Sequence, residues 1–161
     1  MSSSSPTLGT LLRHLIDLLD GEVEAAYVAA GLAWRPRYTP VLRVLMRKGG
    51  QSIKTIAVEI GISHSAVSQT VTQMVKDDLV VLRPGEDARE RIVFLTDKTE
   101  QMIPRLERQW AAVNLAAEKL DNDLSAPLSG VVKEAIEALT EKPFGQRIQA
   151  AARAQDTASN P

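Results

Sequence analysis

A mainly helical chain with one small β-hairpin is what this sequence predicts, and three observations predict it. Apolar residues recur at three-four spacing in several separate stretches. Two β-rich runs flank a Pro-Gly loop near the middle. Ser, Thr and Gly stand where helix starts and stops are needed. At 161 residues the chain is the size of about one domain. Its 44 % apolar and 24 % charged residues give an ordinary globular balance.

The elements follow in order. Leu8, Leu11, Leu12, Leu15, Leu18 and Leu19 share one face of a helix that Thr7 caps and Gly31 ends. Arg35 to Pro40 is a connector, with Thr39 as N-cap and Pro40 in the first turn of a short helix to Arg47. Gly49-Gly50 stops that helix. Ser52 caps a helix from Ile53 to about Ile60, Gly61 turns the chain, and Ser63 caps a helix from His64 to about Asp77. Val80-Val81-Leu82 and Ile92-Val93-Phe94-Leu95 are the hairpin strands, with Arg83 to Arg91 as a long tip. A long helix runs from Thr96 to about Leu120, with Pro104 early in it and Asp121-Asn122-Asp123 breaking it. Two further helices cover about Ala126–Thr140 and Pro143–Ala154.

Composition removes whole classes of chemistry. Without cysteine there are no disulfides, thiolate metal sites or cysteine nucleophiles. Two distant histidines, His14 and His64, make a His-based zinc site unpromising. No Ser-His-Asp spacing or phosphate-binding loop supports an enzyme, and no cofactor or metal is expected. No stretch approaches the roughly 20 apolar residues of a membrane span, and the N-terminus lacks the pattern of a signal peptide. A soluble, cytoplasmic protein is expected. Net charge is −1, yet no carboxylate occurs between Glu24 and Glu59, where Arg35, Arg37, Arg43, Arg47, Lys48 and Lys54 lie. Such a one-sign segment either focuses field toward an anionic partner or is a solvated face.

The segment from Ile53 to Leu79 reads as a helix-turn-helix. Ile56, Ile60, Ile62 and Val67 take the inward positions, small Ala57 permits a close helix crossing, and Gly61 supplies the turn. On the second helix, about 100° per residue gathers Val67, Val71 and Met74 on one side. Ser65, Gln69, Thr72, Gln73 and Lys76 fall opposite, every one able to hydrogen-bond. Ser63, Ser65 and the free amides of the first turn suit a phosphate. An ordinary amphipathic surface helix is the plainer reading, but such helices carry more Glu and Lys than this face does.

The hairpin that follows directly is placed as a wing, with Arg89 and Arg91 at its tip. Asp87 is positioned to accept a hydrogen bond from Arg89 or a neighbour and so fix the loop. The segment Ile56 to Gln69, followed by Asp87-Ala88-Arg89 and then Leu95-Thr96, resembles the MarR (multiple-antibiotic-resistance regulator) family of winged helix-turn-helix transcription regulators. The wing pattern Asp-x-Arg, five residues, Leu-Thr is matched, and the flanking helices fit over about Leu8 to Ala154.

That resemblance implies a homodimeric regulator, a repressor more often than an activator, bound to double-stranded DNA at a near-palindromic operator. Residues 1–6 and 155–161 would be disordered ends. Residues 7–34 would be an N-terminal dimerisation helix, 35–97 the DNA-binding lobe, and 98–154 the long linker helix and C-terminal dimerisation helices. The DNA-facing set would be Lys54, Ser63, His64, Ser65, Ser68, Gln69, Thr72, Gln73, Lys76, Arg89 and Arg91, with Asp87 fixing the wing. Gln69 stands where many members carry Arg, and Ala88 where many carry a second wing Arg, which predicts a shallower salt dependence. Many members answer to small aromatic or phenolic acids, for which Trp34, Arg37, Tyr38 and Trp110 are the candidate lining, with His14 and Arg13 beside them. Trp110 in phase with Leu106 and Val113 also fits simple core packing. The alternative is a winged-helix protein-interaction module without a specific DNA site.

Overall fold

A computed structural model describes residues 5–87 and 90–158. The chain forms two compact units, Met1–Ala111 and Ala112–Pro161. Seven helices, a 3-10 turn and three short strands are present among the described residues: α1 (Leu8–Ala29), the turn Pro36–Tyr38, α2 (Thr39–Lys48), β1 (Gln51–Ser52), α3 (Ile53–Ile60), α4 (His64–Lys76), β2 (Val80–Pro84), β3 (Arg91–Leu95), α5 (Asp97–Asp123), α6 (Leu128–Glu141) and α7 (Phe144–Ala158). The predicted mainly α fold with a small β wing is what the chain adopts.

Local chemistry sets most boundaries. Thr7, Ser52 and Ser63 each turn a hydroxyl back to accept an amide three residues on, satisfying a donor the helix cannot. Gly31 closes α1 with φ 65°, and Gly61 follows α3 with φ 76°, the left-handed region that costs glycine nothing. The end of α4 uses the same closure without glycine. Asp78 has φ 56°, its amide donates to the Val75 carbonyl at 3.1 Å, and the Leu79 amide donates to Met74 at 2.8 Å.

Several expected boundaries are corrected. Thr39 is not an N-cap: the 3-10 turn leads straight into α2, and Thr39 already has helical angles. Its hydroxyl oxygen instead accepts the Trp34 indole N–H at 3.1 Å and lies 3.5 Å from the Tyr27 hydroxyl. Asp121 does not break α5, which runs on to Asp123, because its carboxylate accepts both the amide and the hydroxyl of Ser129 at the start of α6. The helix α7 reaches Ala158 rather than stopping near Ala154. Arg83 and Arg91 belong to the strands and not to the tip, since Pro84 pairs with Arg91 and Arg83 with Ile92.

The sheet is antiparallel with order β1-β3-β2. Strand β1 was not expected, because two residues carry no period; it pairs Gln51 with Val93 and Ser52 with Ile92. Just before it, Gly50 leaves room for the Phe94 ring: a Cβ there would lie 2.2 Å from a ring carbon. The Arg83 guanidinium covers that ring at 5.0 Å.

The core lies in the first unit. Val41, Leu42, Val44 and Leu45 of α2, Ile56 and Ala57 of α3, and Val67, Val71 and Met74 of α4 are buried together with Leu79, Val80, Val93 and Leu106. An aromatic group completes it. Trp110 Nε1 donates to the Tyr27 hydroxyl at 3.0 Å, Trp34 meets Tyr38 edge-on at 5.6 Å, and among the described residues every buried polar tip is bonded. In the second unit, by contrast, α6 buries none of its residues.

Candidate nucleic-acid interface

The helix α4 is held from behind and open in front. Val67, Val71 and Met74 are buried against the rest of the lobe, so the opposite side faces outward by helical period. Ser65, Gln69, Thr72 and Lys76 are exposed there, with Ser63 and His64 at the exposed N-terminus; Ser68 is half-buried. The Ser63 hydroxyl is engaged in capping the Ala66 amide at 3.2 Å, and Thr72 donates to the Ser68 carbonyl at 2.8 Å. Each oxygen retains acceptor capacity. No carboxylate lies on α4 itself, and the helix presents its positive end where Ser63 and Ser65 stand.

Lys54 and His64 are brought together across the turn. They line a shallow hollow of about 340 Å³ with Ala57, Val58, Gly61 and Ile62. Ile62 was expected to point inward, but it is 47 % exposed. The left-handed Gly61 reverses the chain, and the Ile62 amide donates back to Ala57 at 3.2 Å, which leaves its side chain on the rim. Val58 beside it is 75 % exposed.

The wing is only partly described. Arg91 is the exposed first residue of β3. The Asp87 carbonyl accepts the Glu90 amide at 2.9 Å, and Gly85 donates to the Glu90 carbonyl at 2.9 Å. Arg89, and with it the expected Asp87–Arg89 contact, lies outside the described residues.

The cationic segment is largely spent inside the lobe. Arg47 and Lys48 both pair with Glu59, at 2.8 and 2.6 Å. The Lys48 hydrogen bond, ahead of that from Arg47, holds the Glu59 carboxyl below the usual range. Arg43 covers the Trp110 ring at 4.8 Å and Arg37 the Tyr38 ring at 5.7 Å. The apparent gap in negative charge along the chain is closed in space by a carboxylate 11 or 12 residues away.

The expected ligand lining is redistributed in the same way. Trp34, Tyr38 and Trp110 are buried with their polar atoms bonded, and Arg37 is exposed. His14 and Arg13 are exposed on α1. Of the four candidates Trp34 borders a cleft of about 390 Å³, lined also by Glu24, Val28, Leu32, Ala33, Arg35 and Asp77. Among the described residues no group of His, Asp or Glu could hold a metal ion, and no helix is long and apolar enough to cross a membrane.

Asp77, which the sequence did not single out, links α4 to the core. Its Oδ2 accepts the Tyr38 hydroxyl at 2.6 Å and its Oδ1 accepts Gln73 Nε2 at 2.9 Å. The Tyr38 bond, and after it that from Gln73, holds the Asp77 carboxyl below its usual range against the opposing effect of burial. Burial and then the Asp77 bond push the Tyr38 hydroxyl up, so it remains a donor. A carboxyl with a depressed folded value stabilises the fold above its ordinary value of 3.8 and loses that contribution as pH falls through the folded value. Tyr38→Phe is therefore expected to lower the urea midpoint at pH 7, with the difference from the parent chain shrinking below about pH 3.8. Equal differences at pH 7 and pH 3 would contradict the assignment.

The comparisons agree with this geometry. Residues 35–90 match the family profile MarR_2, described as MarR family. No curated protein matches the sequence significantly. Among solved structures, a MarR-family transcriptional regulator from Silicibacter pomeroyi DSS-3 is 25 % identical, covering 82 % of this chain and 94 % of its own, with a TM-score of 0.58. The transcriptional repressor CouR, bound to a 23-mer DNA duplex, shares the fold at 18 % identity over 83 % of this chain and 92 % of its own, with a TM-score of 0.61. NadR, in complex with 4-hydroxyphenylacetate, shares it at 17 % identity over 88 % and 98 %, with a TM-score of 0.55. Residues 35–90 thus match the MarR family profile, and solved structures of MarR-type transcription regulators share the fold along most of the chain.

Proposed function

We infer that this chain is a homodimeric, sequence-specific DNA-binding regulator, acting as a repressor at a near-palindromic operator and working in the cytoplasm without catalytic activity. The observation that carries this reading is the outward face of α4. It offers Ser65, Gln69, Thr72 and Lys76, polar groups without a carboxylate, from a helix locked in place behind. Two copies related by a two-fold axis would set two such helices in successive major grooves, about 34 to 36 Å apart. The wings would follow the flanking minor grooves, with Arg89 on the phosphates.

Dimerisation is supported by exposed apolar faces. On α1, Leu8, Leu11, Leu12, Ile16, Leu18 and Leu19 are exposed; on α6 and α7, so are Val131, Val132, Ile136, Leu139, Phe144 and Ile148. Residues 7–34 and 98–154 are the dimerisation segments on this reading, and 35–97 the DNA-binding lobe. CouR, whose structure contains DNA, supports the choice of partner. A small aromatic or phenolic acid is the proposed effector class. NadR's ligand supports it, as does the cleft where Trp34 and Arg35 meet.

A second reading, a protein-interaction module, draws on the apolar hollow at Val58 and Ile62. The polar face of α4 favours DNA over it. Affinity for duplex DNA at several salt concentrations tests the choice. Arg89→Ala is expected to weaken binding to all sequences alike and to reduce the salt slope by about one. Unchanged affinity and slope would remove the wing from the interface.

A further inference from the structure

The inference concerns how α4 reads a base, and it rests on the DNA-binding reading above. Gln73 differs from Ser65, Gln69, Thr72 and Lys76: it is half-buried and its side chain is tied down. Its partner Asp77 is fixed from three directions. One carboxylate oxygen takes the Gln73 N–H, the other takes the Tyr38 hydroxyl at 2.6 Å, and the Asp77 carbonyl takes Lys98 Nζ at 2.8 Å. Tyr38 is fully buried and packed edge-on to Trp34. Independently of Gln73, the carboxylate is thus held to the core by Tyr38 and its backbone is held by Lys98.

A side-chain amide has two orientations of nearly equal shape and opposite hydrogen-bonding sense. An ionised carboxylate only accepts. Facing it, Gln73 must turn its NH2 end inward, and Oε1 is then the end directed away. We propose that Asp77 is a positioning residue that fixes the amide orientation of Gln73, so that α4 presents a hydrogen-bond acceptor to the base edge opposite. In the major groove the groups that meet an acceptor are the amino groups of adenine and cytosine, whereas guanine and thymine offer O6 and O4, acceptors themselves. The choice of base at one step is on this account made by a residue that touches no DNA.

The substitution Asp77→Asn has a distinct consequence. The Tyr38 hydroxyl keeps donating to an oxygen, which places the new NH2 toward Gln73. The amide of Gln73 then turns round and presents its own NH2 to the base. Selection from a random duplex library with the parent chain and with Gln73→Ala, Asp77→Ala and Asp77→Asn tests this, each variant first checked for parental helicity by circular dichroism. Gln73→Ala identifies the base step concerned by loss of preference there. Asp77→Ala is expected to relax that step alone, by about tenfold in discrimination. Asp77→Asn is expected to exchange adenine or cytosine for guanine or thymine on the same strand, and it decides the matter by itself if the alanine variant does not fold.

A parent chain that selects no sequence would sink the DNA-binding reading and this inference together. A parent chain that selects an operator, with both Asp77 variants losing affinity evenly and keeping the parental preference, would overturn this inference alone.

Discussion

Glutamates placed at Leu12 and Ile16 are expected to separate the proposed dimer and to lower DNA affinity on the order of 100-fold, the range lost when two linked contacts become one. The two residues lie four apart on one face of α1 and are 44 % and 54 % exposed. Burying them against a second copy is favourable, while burying two carboxylates without partners is not. Glutamate is a good helix former, so α1 itself persists. The buried core of α1 begins later, at Tyr27, and is untouched. Sedimentation at micromolar concentration is expected to give a folded monomer, with binding to a single half-site retained. A dimer of unchanged operator affinity would show that this face does not join the copies.

Ile56→Ala is expected to cost about 2–5 kcal/mol, the range for emptying a buried isoleucine site. Ile56 is 0 % exposed and sits in the same core as Val67, the first buried residue of α4. A domain of ordinary stability has about 5–15 kcal/mol in total, so the lobe is left close to its folding limit. Loss of its backing also frees α4 to move, and DNA affinity falls more than a surface change would cause. Urea unfolding checks the first effect and duplex titration the second. A cost below about 1 kcal/mol would mean that the two helices are not held through this residue.

The parts of the lobe that were legible in the sequence are those set by near neighbours. Ser52, Gly61 and Ser63 each act within three or four residues, and the period of Val67, Val71 and Met74 is a property of α4 alone. What was not legible depends on partners beyond the adjacent turn of chain. Thr39 has the spacing of a cap, but Trp34 and Tyr27 claim its oxygen. Arg47 and Lys48 look like part of a basic surface until the fold brings Glu59 against them. Asp77 reads as an ordinary helix end, and only folding places Tyr38, 39 residues earlier, against its carboxylate. Strand β1 could not be read at all, since its two residues are defined by β3 and by nothing of their own.

The candidate site divides along the same line. The identity of the outward residues on α4 follows from helical period, and Ser65, Gln69, Thr72 and Lys76 are indeed exposed. Their freedom to act does not follow from period, and Gln73 is the case in point: it shares the face with Gln69, yet one is bound to a carboxylate and half-buried while the other is exposed. The aromatic residues fail as a ready lining for the same physical reason. Four large rings, Tyr27, Trp34, Tyr38 and Trp110, help fill the core of the first unit, and three of them are linked by hydrogen bonds that run through the Tyr27 and Thr39 hydroxyls.

The measurement that tests the central claim most directly is selection of bound sequences from a random duplex library at two salt concentrations. The expected product is an inverted repeat whose half-sites lie one helical turn apart, about 10 base pairs, persisting at the higher salt. Recovery of unspecific duplexes alone, lost at the higher salt, would contradict a sequence-specific dimer.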